Sequence, residues 1–353
     1  MWKYFNNLSL KDKRNIASLG EGNTALVPSR HIGPSLGLDQ LYFKLEFQNP
    51  SGSYKDRFAS MAASLMVEQN RRLMLATSSG NTGAALAAYA ARFGFELDLY
   101  VLETASHQKL VQAQAYGARV IRVRKFGVTE AGTNSVVERL KARARTSEAV
   151  LLISATCISP QQMAGVKTIS FEICEQLGGV PDHVFAPIGG GGLFFQCYQG
   201  YREWFQEGRI NQIPRMHAAQ PQGCATVVGP LSRNETTAQA VTCTSEISGL
   251  QVASVLDAQL AVDAVLASGG SGQMMSDDVV YSWQRRLIRE EGIYTEPAGA
   301  TALAGLELAV RQGLVKASER VVCLVTGGGF KHLESIDSML QGASMPLINV
   351  DDI

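Results

Sequence analysis

The chain has 353 residues, with 32 basic and 32 acidic side chains and a formal net charge of zero. This length allows two domains with a sizeable core, and the balanced charge gives no sign of a nucleic-acid partner or a membrane surface. Six scattered cysteines without a Cys-x-x-Cys pair, and five dispersed histidines, indicate reduced thiols and no metal site. We expect a cytoplasmic protein, because the chain shows neither the apolar core of a signal peptide nor a run of about 18 apolar residues.

The first segment that suggests chemistry is 49–57, which reads NPSGSYKDR and leads into an apolar helical run. Lys55 follows the tight Pro-Ser-Gly turn at the predicted helix start. A desolvated lysine amine loses its proton more easily than an exposed one, and it can then form an imine with an aldehyde. Lys55 is therefore a candidate nucleophile, and the plain alternative is a solvated lysine. Asp56 and Arg57 are expected to form a structural pair beside it, with Tyr54 in a packing role.

Short apolar runs then alternate with amphipathic ones. Strands are predicted over 73–77, 97–102, 119–123 and 150–153, and helices over 82–92, 107–116 and 130–145. Strand, helix and strand at this spacing indicate crossover units and a parallel sheet. The block 55–155 is therefore predicted to form a small domain with its own core.

Residues 78–82, which read SSGNT, join a predicted strand to a predicted helix. Ser and Asn are favoured at helix N-caps, and the free amide groups of a helix start can also bind an anion. The two interpretations are compatible because they use the same donors. This loop is a candidate anion site.

A second series of elements follows the first block. Helices are predicted over 161–177, 193–204 and 276–289, and strands over 183–186, 216–219 and 321–325. The stretch 220–275 is rich in Ser, Thr, Gly and Gln and is predicted to hold loops with short helices. A Pro-led helix begins at Glu296, where an acidic side chain suits the positive helix end.

Four glycines at 189–192 lie between a predicted strand and a predicted helix. Without Cβ atoms, several amide groups can converge on one anion, and the helix start adds a partial positive charge. The segment lacks the G-x-G-x-x-G spacing of a dinucleotide site, and no acidic residue stands at the usual offset after a first strand. A nest for a single phosphate is the better interpretation.

Five segments in this order resemble the motifs of fold type II pyridoxal-phosphate (PLP) enzymes, the group of tryptophan synthase β and threonine synthase. They are 51–57 (SGSYKDR), 79–83 (SGNTG), 187–192 (PIGGGG), 296–300 (EPAGA) and 326–329 (TGGG). The resemblance extends from 19–24 (LGEGNT) to Lys331 and so covers nearly the whole chain.

The resemblance implies an α/β fold of two domains, with parallel twisted sheets flanked by helices and PLP in the cleft between the domains. Residues 1–54 and 156–353 would form the large PLP domain, and 55–155 the small one. It also implies a small amino-acid substrate and a homodimer.

The resemblance further implies a role for each motif residue. Lys55 carries the imine with PLP, and Asn81 contacts the phenolic oxygen of the cofactor. The PLP phosphate is held by Gly189, Gly190, Gly191, Gly192 and Leu193, and the substrate carboxylate by Ser78, Ser79, Gly80 and Thr82. Thr326 faces the pyridine nitrogen, and Glu296 has a supporting role near the ring or at the domain interface.

The residue at the pyridine nitrogen matters for the reaction. An aspartate there would keep the pyridine protonated and make it a strong electron sink, as in transaminases. The neutral hydroxyl of Thr326 stabilises that charge poorly. Elimination and replacement are therefore expected over transamination.

Within the group, the segments 19–24, 44–46 (KLE) and 326–331 (TGGGFK) resemble threonine synthase, which converts O-phosphohomoserine and water to threonine and phosphate. Threonine synthases usually bind the substrate phosphate with Asn-Ser and a following Arg. Here 156–162 reads TCISPQQ, so that Gln162 stands where that Arg is expected. The four glycines and the EPAGA segment resemble threonine and serine dehydratases instead.

We therefore expect a threonine synthase-like lyase whose leaving-group pocket is altered at Gln162, a substrate-binding residue. It would eliminate a β or γ substituent from a small amino acid, with or without addition of a nucleophile. One alternative is a threonine/serine ammonia-lyase, and another is a PLP-binding protein without catalysis. Should O-phosphohomoserine nevertheless be the substrate, Lys44 is the first candidate to hold its phosphate.

Overall fold

The computed structural model describes residues 1–126, 130–146 and 148–350. The strands in this part of the chain are β1 (Leu26–Pro28), β2 (Gln40–Leu45), β3 (Leu73–Ala76), β4 (Glu96–Leu102), β5 (Arg119–Val123), β6 (Ala149–Leu152), β7 (His183–Pro187), β8 (Arg215–Pro221), β9 (Gly272–Met275) and β10 (Arg320–Val325). The α-helices are α1 (Ile32–Ser35), α2 (Lys55–Glu68), α3 (Asn81–Phe93), α4 (His107–Ala115), α5 (Glu130–Thr146), α6 (Pro160–Met163), α7 (Thr168–Leu177), α8 (Gly192–Gln206), α9 (Val228–Ser232), α10 (Ala258–Ala267), α11 (Asp277–Glu291), α12 (Pro297–Arg311) and α13 (Leu333–Met339).

These strands form two sheets. The six-stranded sheet has the order β1-β2-β10-β7-β8-β9, in which β1 runs antiparallel to β2 and every other pair is parallel. The four-stranded sheet has the order β5-β4-β3-β6 and is parallel throughout. The predicted α/β class with parallel sheets and flanking helices is confirmed, with β1 as the antiparallel exception.

Small side chains let the helices next to the site pack closely. In α2 every residue from Asp56 to Met66 is buried, and in α3 every residue from Thr82 to Ala90 is buried. Alanine loses no side-chain entropy in a helix and leaves room for a neighbouring backbone. The helix α3 ends at Gly94, whose φ of 71° is the left-handed conformation that glycine adopts freely.

The largest buried apolar cluster is continuous between helices that flank the two sheets. It includes Phe58 of α2, Tyr89 of α3, Leu99 of β4 and Phe194 of α8. The four-stranded sheet lies inside the segment predicted as the small domain, and the domain boundaries themselves stay a prediction. No helix in the described ranges is both long enough and apolar enough to cross a membrane.

The prediction for 220–275 is incomplete. Short helices do occur there, but the stretch also holds the strand β9 and the ten-residue helix α10. The strand β9 pairs with β8 at the edge of the large sheet. Its four residues begin with Gly272 and offer too little apolar alternation to mark a strand.

The predicted pair of Asp56 and Arg57 is wrong. Arg57 is fully buried and forms salt bridges with Glu46 at 2.6 Å and with Glu172 at 2.7 Å. Asp56 instead accepts hydrogen bonds from the amide and hydroxyl groups of Ser51. Burial raises the pKa of Asp56 to about 6.

The hypothesis that Lys44 could hold a substrate phosphate is also wrong. Its side chain has no exposed surface, and Nζ donates to Thr24 O, Glu172 Oε2 and Gln176 Oε1 at 2.7, 2.8 and 2.9 Å. All three donors of the ammonium group are thus used inside the core. Lys44 is part of the Arg57 ion network and not of a binding site.

The motif loops follow the carboxyl ends of parallel strands. Residues 78–82 follow β3, the glycines 189–192 follow β7, and Thr326 follows β10. In open α/β sheets, ligands bind in the crevice outside these strand ends. The topology therefore puts the candidate site at this edge of both sheets.

Candidate active site

Lys55 is the first residue of α2 and is half-buried. Its Nζ donates a hydrogen bond of 2.8 Å to Ser154 Oγ. The same Nζ lies 4.6 Å from the centroid of the Tyr54 ring, a distance at which an aromatic face attracts an ammonium group. The amine is thus held at the helix start by one hydroxyl and one ring.

Ser154 connects two of the sequence motifs. Its Oγ lies 2.8 Å from Thr82 Oγ1, in addition to its contact with Lys55. Ser154 stands two residues beyond the end of β6, which pairs with β3. No sequence motif marks this residue, and the signal that could have indicated it is its position just past a strand of the same parallel sheet.

The loop 78–82 supplies donors for an anion. Residues 78–81 are half-buried, and Ser78 Oγ accepts a hydrogen bond from the amide of Gly80 at 3.2 Å. Within the described residues, the amide groups of Ser79, Asn81 and Thr82 donate to no acceptor. Free amides at the start of a helix can bind a carboxylate, and that role for this loop stays a prediction.

Asn81 and Glu296 come together from distant parts of the chain. Asn81 Nδ2 donates a hydrogen bond of 2.8 Å to Glu296 Oε1. Glu296 directly precedes α12 and is 5% exposed. Burial raises the pKa of its carboxyl to about 7, although the hydrogen bond from Asn81 and the nearby lysines Lys331, Lys109 and Lys55 act in the opposite direction.

The segment after β10 lies beside the turn that precedes Lys55. Thr326 O accepts from the amide of Tyr54 at 3.1 Å, and Gly52 O accepts from the amide of Gly328 at 3.1 Å. Gly327 must be glycine, because a Cβ there would collide with the carboxyl of Glu296. The backbone of Thr326 is therefore anchored beside Tyr54, the residue before Lys55, and its role toward the cofactor stays a prediction.

The glycine loop presents free donors at the start of α8. Among the described residues, no acceptor exists for the amide groups of Gly189 through Leu193. Gly191 has a φ of 98°, and a Cβ on it would lie 2.6 Å from Asp257 O. The loop thus has the open amides and the glycine-only geometry of a phosphate nest.

Asp257, which the sequence analysis did not single out, holds this loop in place. It is 1% exposed, and its amide donates to Gly190 O at 3.0 Å. Its carboxylate accepts from the amides of Thr156 at 2.5 Å and Cys157 at 2.9 Å. One buried acid therefore joins the glycine loop to the segment that carries Ser154.

Gln162 lies on α6 and is half-buried. Within the described residues, its side chain makes no hydrogen bond, so its amide is free to contact another group. The neighbouring Met163 approaches the glycine loop, since its Cε would lie 2.9 Å from a Cβ on Gly192. Gln162 is next to Met163 in sequence, and within the described residues it makes no side-chain hydrogen bond to another predicted site residue.

A second lysine, missed in the sequence analysis, borders the turn before Lys55. Lys331 Nζ donates to Gln112 Oε1 at 2.5 Å, and Gln112 Nε2 donates to Ser51 O at 3.0 Å. Burial lowers the pKa of Lys331, while Glu296 and Asp56 act in the opposite direction. This bridge connects α4 to the segment after Thr326.

The residues present fit the cofactor that the resemblance implies. The free amides of the glycine loop suit a phosphate, and the half-buried amine of Lys55 suits an aldehyde. Ser154 connects the glycine loop to Lys55. Its hydroxyl accepts from Lys55 Nζ, and its carbonyl oxygen would lie 3.7 Å from a Cβ placed on Gly192. No group of His, Cys, Asp and Glu side chains suited to a metal ion occurs in the described part of the chain.

Comparison with known sequences agrees with this geometry. The family described as pyridoxal-phosphate dependent enzyme matches residues 17–327. A threonine synthase of Methanocaldococcus jannaschii is 34% identical over 343 residues, covering 94% of this chain and 80% of that protein. A threonine synthase of a Bacillus species (strain ULM1) is 33% identical over 332 residues, covering 93% of this chain and 89% of that protein.

Solved structures share the fold. Maize serine racemase superposes with a TM-score of 0.74 at 23% identity, covering 91% of this chain and 92% of that one. The processed form of threonine deaminase isoform 2 from Solanum lycopersicum superposes with a TM-score of 0.75 at 20% identity, covering 98% of this chain and 93% of that one. These superpositions confirm the predicted fold type. The family match and the threonine synthases confirm the resemblance and the cofactor.

Proposed function

This chain belongs to the family of pyridoxal-phosphate-dependent enzymes, and we propose that it is a threonine synthase-like lyase acting on a small amino acid. It would eliminate or replace a β or γ substituent. The observation that carries the proposal is the 2.8 Å hydrogen bond from Lys55 Nζ to Ser154 Oγ, because Ser154 also contacts Thr82 of the loop 78–82 and lies against Gly192 of the glycine loop. The threonine synthases at 34% and 33% identity support the choice within the family.

The cofactor supplies the electron-withdrawing group that lets a proton and then a leaving group depart from an amino acid joined to it. Lys55 would bind its aldehyde, and the amides of Gly189 to Leu193 would hold its phosphate. Asn81 would contact the phenolic oxygen. In this position Asn81 is oriented by Glu296, its partner at 2.8 Å.

The substrate carboxylate would bind at the loop 78–82, where Ser78, Ser79, Gly80 and Thr82 begin α3. Three free amides and the positive end of the helix favour a negative charge there. A bound carboxylate fixes the Cα proton relative to Lys55 Nζ, which is the base once it is free of the cofactor.

Thr326 would face the pyridine nitrogen. A neutral hydroxyl does not hold the ring protonated, so a carbanion on the substrate is stabilised only weakly. Rapid loss of a leaving group is then favoured over transamination. The anchoring of Thr326 by the amide of Tyr54 supports this role, because it holds the residue next to Lys55.

The leaving-group pocket would differ from that of threonine synthases at Gln162. An arginine binds phosphate through two charge-assisted hydrogen bonds, which a glutamine side chain cannot replace. O-phosphohomoserine should therefore be a poorer substrate than an uncharged or differently charged amino acid such as serine, threonine or an O-acylated amino acid. The free amide of Gln162 supports a contact with such a substituent.

Two alternatives remain open to experiment. A threonine/serine ammonia-lyase is favoured by the four glycines at 189–192 and by the segment 296–300. A PLP-binding protein without catalysis is opposed by the intact Lys55, Asn81 and Thr326. The absorbance spectrum after addition of serine distinguishes a reacting cofactor from an inert one.

We further propose the assembly that the family resemblance suggests. Residues 1–54 and 156–353 would form the large domain and 55–155 the small one, with the site in the cleft between them. The protein would act as a homodimer in the cytoplasm. Light scattering of the purified protein measures the number of copies.

The function is tested by incubating the purified holoenzyme separately with L-serine, L-threonine, O-acetylserine and O-phosphohomoserine. Release of keto acid, acetate and phosphate is measured for each. The proposal expects elimination or replacement with at least one of these amino acids. Binding of PLP without release of any product from all four would contradict it and favour the inert alternative.

A further inference from the structure

The contact between Ser154 and Lys55 has a chemical property that a packing contact lacks. A hydroxyl has one hydrogen to donate and lone pairs to accept, so Ser154 can interact with either protonation state of an amine. An ammonium group at Lys55 donates to Ser154 Oγ. A neutral amine can instead accept the hydrogen of Ser154.

Thr82 completes the set of donors and acceptors. With Lys55 charged, Ser154 accepts from Nζ and donates its hydrogen to Thr82 Oγ1, 2.8 Å away. With Lys55 neutral, both hydroxyls rotate, so that Thr82 donates to Ser154 and Ser154 donates to Nζ at 2.8 Å. Every hydrogen bond is kept in both states, and no proton leaves either hydroxyl.

The backbone of Ser154 is held by groups that belong to the cofactor nest. Asp257 accepts from the amides of Thr156 and Cys157, the residues just after it, and the amide of Asp257 donates to Gly190 O. The carbonyl of Ser154 lies against Gly192. The position of its hydroxyl is thus fixed relative to the glycine loop.

We propose that Ser154 is a catalytic residue that holds the free amine of Lys55 and matches it in both of its charge states during proton transfer. This inference rests on the proposed function. In the step, the substrate Cα–H bond breaks, its electron pair stays on the substrate and cofactor, and an N–H bond forms at Nζ. The hydroxyls of Ser154 and Thr82 reverse direction before this transfer, so that an N–H of the neutral amine donates to Ser154 Oγ and the lone pair of Nζ is free to take the Cα proton.

The test compares three variants of the holoenzyme with a matched control. Ser154→Ala removes the hydroxyl, Ser154→Thr keeps it, and Ser154→Cys keeps the side-chain size with a weaker donor. Ser159→Ala removes a hydroxyl from the same segment, one that accepts from the amide of Ile153, whereas Lys55 Nζ donates to Ser154. Bound PLP is quantified by absorbance for each variant.

The main readout is exchange of the substrate Cα hydrogen with deuterated solvent, followed by NMR with serine and threonine. We expect Ser154→Ala to slow the exchange roughly ten- to a hundredfold, Ser154→Cys to fall between, and Ser154→Thr to stay within about threefold of the unmodified enzyme. The pH dependence of the holoenzyme's visible absorbance should shift in Ser154→Ala and not in Ser159→Ala.

The inference is overturned if Ser154→Ala exchanges the Cα hydrogen at the same rate as the unmodified enzyme and its visible absorbance has the same pH dependence. Equal slowing in Ser154→Thr and Ser154→Ala would also overturn it, because the hydroxyl would then have no specific role. If the unmodified enzyme exchanges no Cα hydrogen of any amino acid tested, the proposed function fails instead. The two failures are therefore distinguishable.

Discussion

Asn81 donates a hydrogen bond of 2.8 Å to Glu296, a residue 215 positions further along the chain. The contact joins the start of α3 to the start of α12, and it holds the amide side chain that we assign to the cofactor's phenolic oxygen. Gly327 leaves the space that the carboxyl occupies. A buried acid thus orients a neutral amide, and this arrangement makes the stability of the fold depend on pH.

Burial raises the pKa of Glu296 to about 7, so the folded chain binds this proton more tightly than the unfolded chain does. Proton binding by Glu296 therefore stabilises the folded state fully at low pH. The free energy of unfolding falls by an amount on the order of 3 kcal/mol as the pH rises from about 5 to about 8 and this proton is lost. We expect Glu296→Gln, which resembles the protonated acid, to lose less stability over this range. Thermal unfolding of the variant and the unmodified protein at several pH values measures this difference in stability.

Glu290→Gln is a suitable control, because Glu290 forms an i,i+4 pair with Arg286 at the surface and its pKa is lowered. Its variant should not gain stability relative to the unmodified protein as the pH rises. If the stability of Glu296→Gln depends on pH in the same way as that of the unmodified protein, Glu296 does not have the raised pKa that we assign to it.

Lys55 is expected to be the attachment point of PLP. The purified protein should show a visible absorbance band that borohydride bleaches, and the reduced adduct should be found by mass spectrometry on the peptide that contains Lys55. Lys55→Ala should abolish turnover while the glycine loop still binds PLP without a covalent bond. Lys331→Ala, which changes another half-buried lysine near the site, should keep the adduct. An adduct on any residue other than Lys55 would contradict the assignment of Lys55.

Thr326→Asp is expected to change the outcome of the reaction more than the affinity for substrate. A carboxylate at this position would hold the pyridine nitrogen protonated and make the cofactor a stronger electron sink. The ratio of transamination to elimination should rise severalfold, and the spectrum of the bound cofactor should change. Thr326→Ser, which keeps the hydroxyl, serves as the control. An unchanged product ratio and an unchanged spectrum in the aspartate variant would mean that Thr326 does not face the pyridine nitrogen.

Arg57 is expected to contribute strongly to the free energy of unfolding. Arg57→Met would leave Glu46 and Glu172 buried without their main partner, and loss of one partner of a buried ion pair costs about 3–5 kcal/mol. Lys3→Met breaks a surface pair with Glu175 and should cost less than about 1 kcal/mol. Urea unfolding of both variants compares the losses, and equal losses would show that the buried network contributes little.

The sequence predicts the elements around the site well where the pattern is local. It predicts a helix over 82–92, and α3 spans Asn81–Phe93; it predicts a strand over 119–123, and β5 spans Arg119–Val123. In such segments the apolar spacing and a terminal glycine carry the information. The short strand β9 has a glycine at its start but no apolar alternation over its four residues, and it was missed.

The partners of charged and polar side chains could not be predicted in this way. Arg57 is next to Asp56 in the chain, yet it pairs with Glu46 and Glu172, the latter 115 residues away. Ser154 reaches Lys55 over 99 residues. Such contacts depend on how the helices and sheets pack, and that information is spread over the whole chain.

The most direct test of the central claim is the ratio of two kcat/KM values, one for O-phosphohomoserine and one for the best neutral amino acid found. Losing a charge-assisted phosphate contact is worth roughly 1.5–3 kcal/mol, about ten- to a hundredfold. We predict that the unmodified enzyme favours the neutral substrate and that Gln162→Arg shifts the ratio toward the phosphorylated one by that factor, whereas Gln162→Asn does not. Efficient formation of threonine from O-phosphohomoserine by the unmodified enzyme, with no gain in Gln162→Arg, would contradict the altered pocket and identify an ordinary threonine synthase.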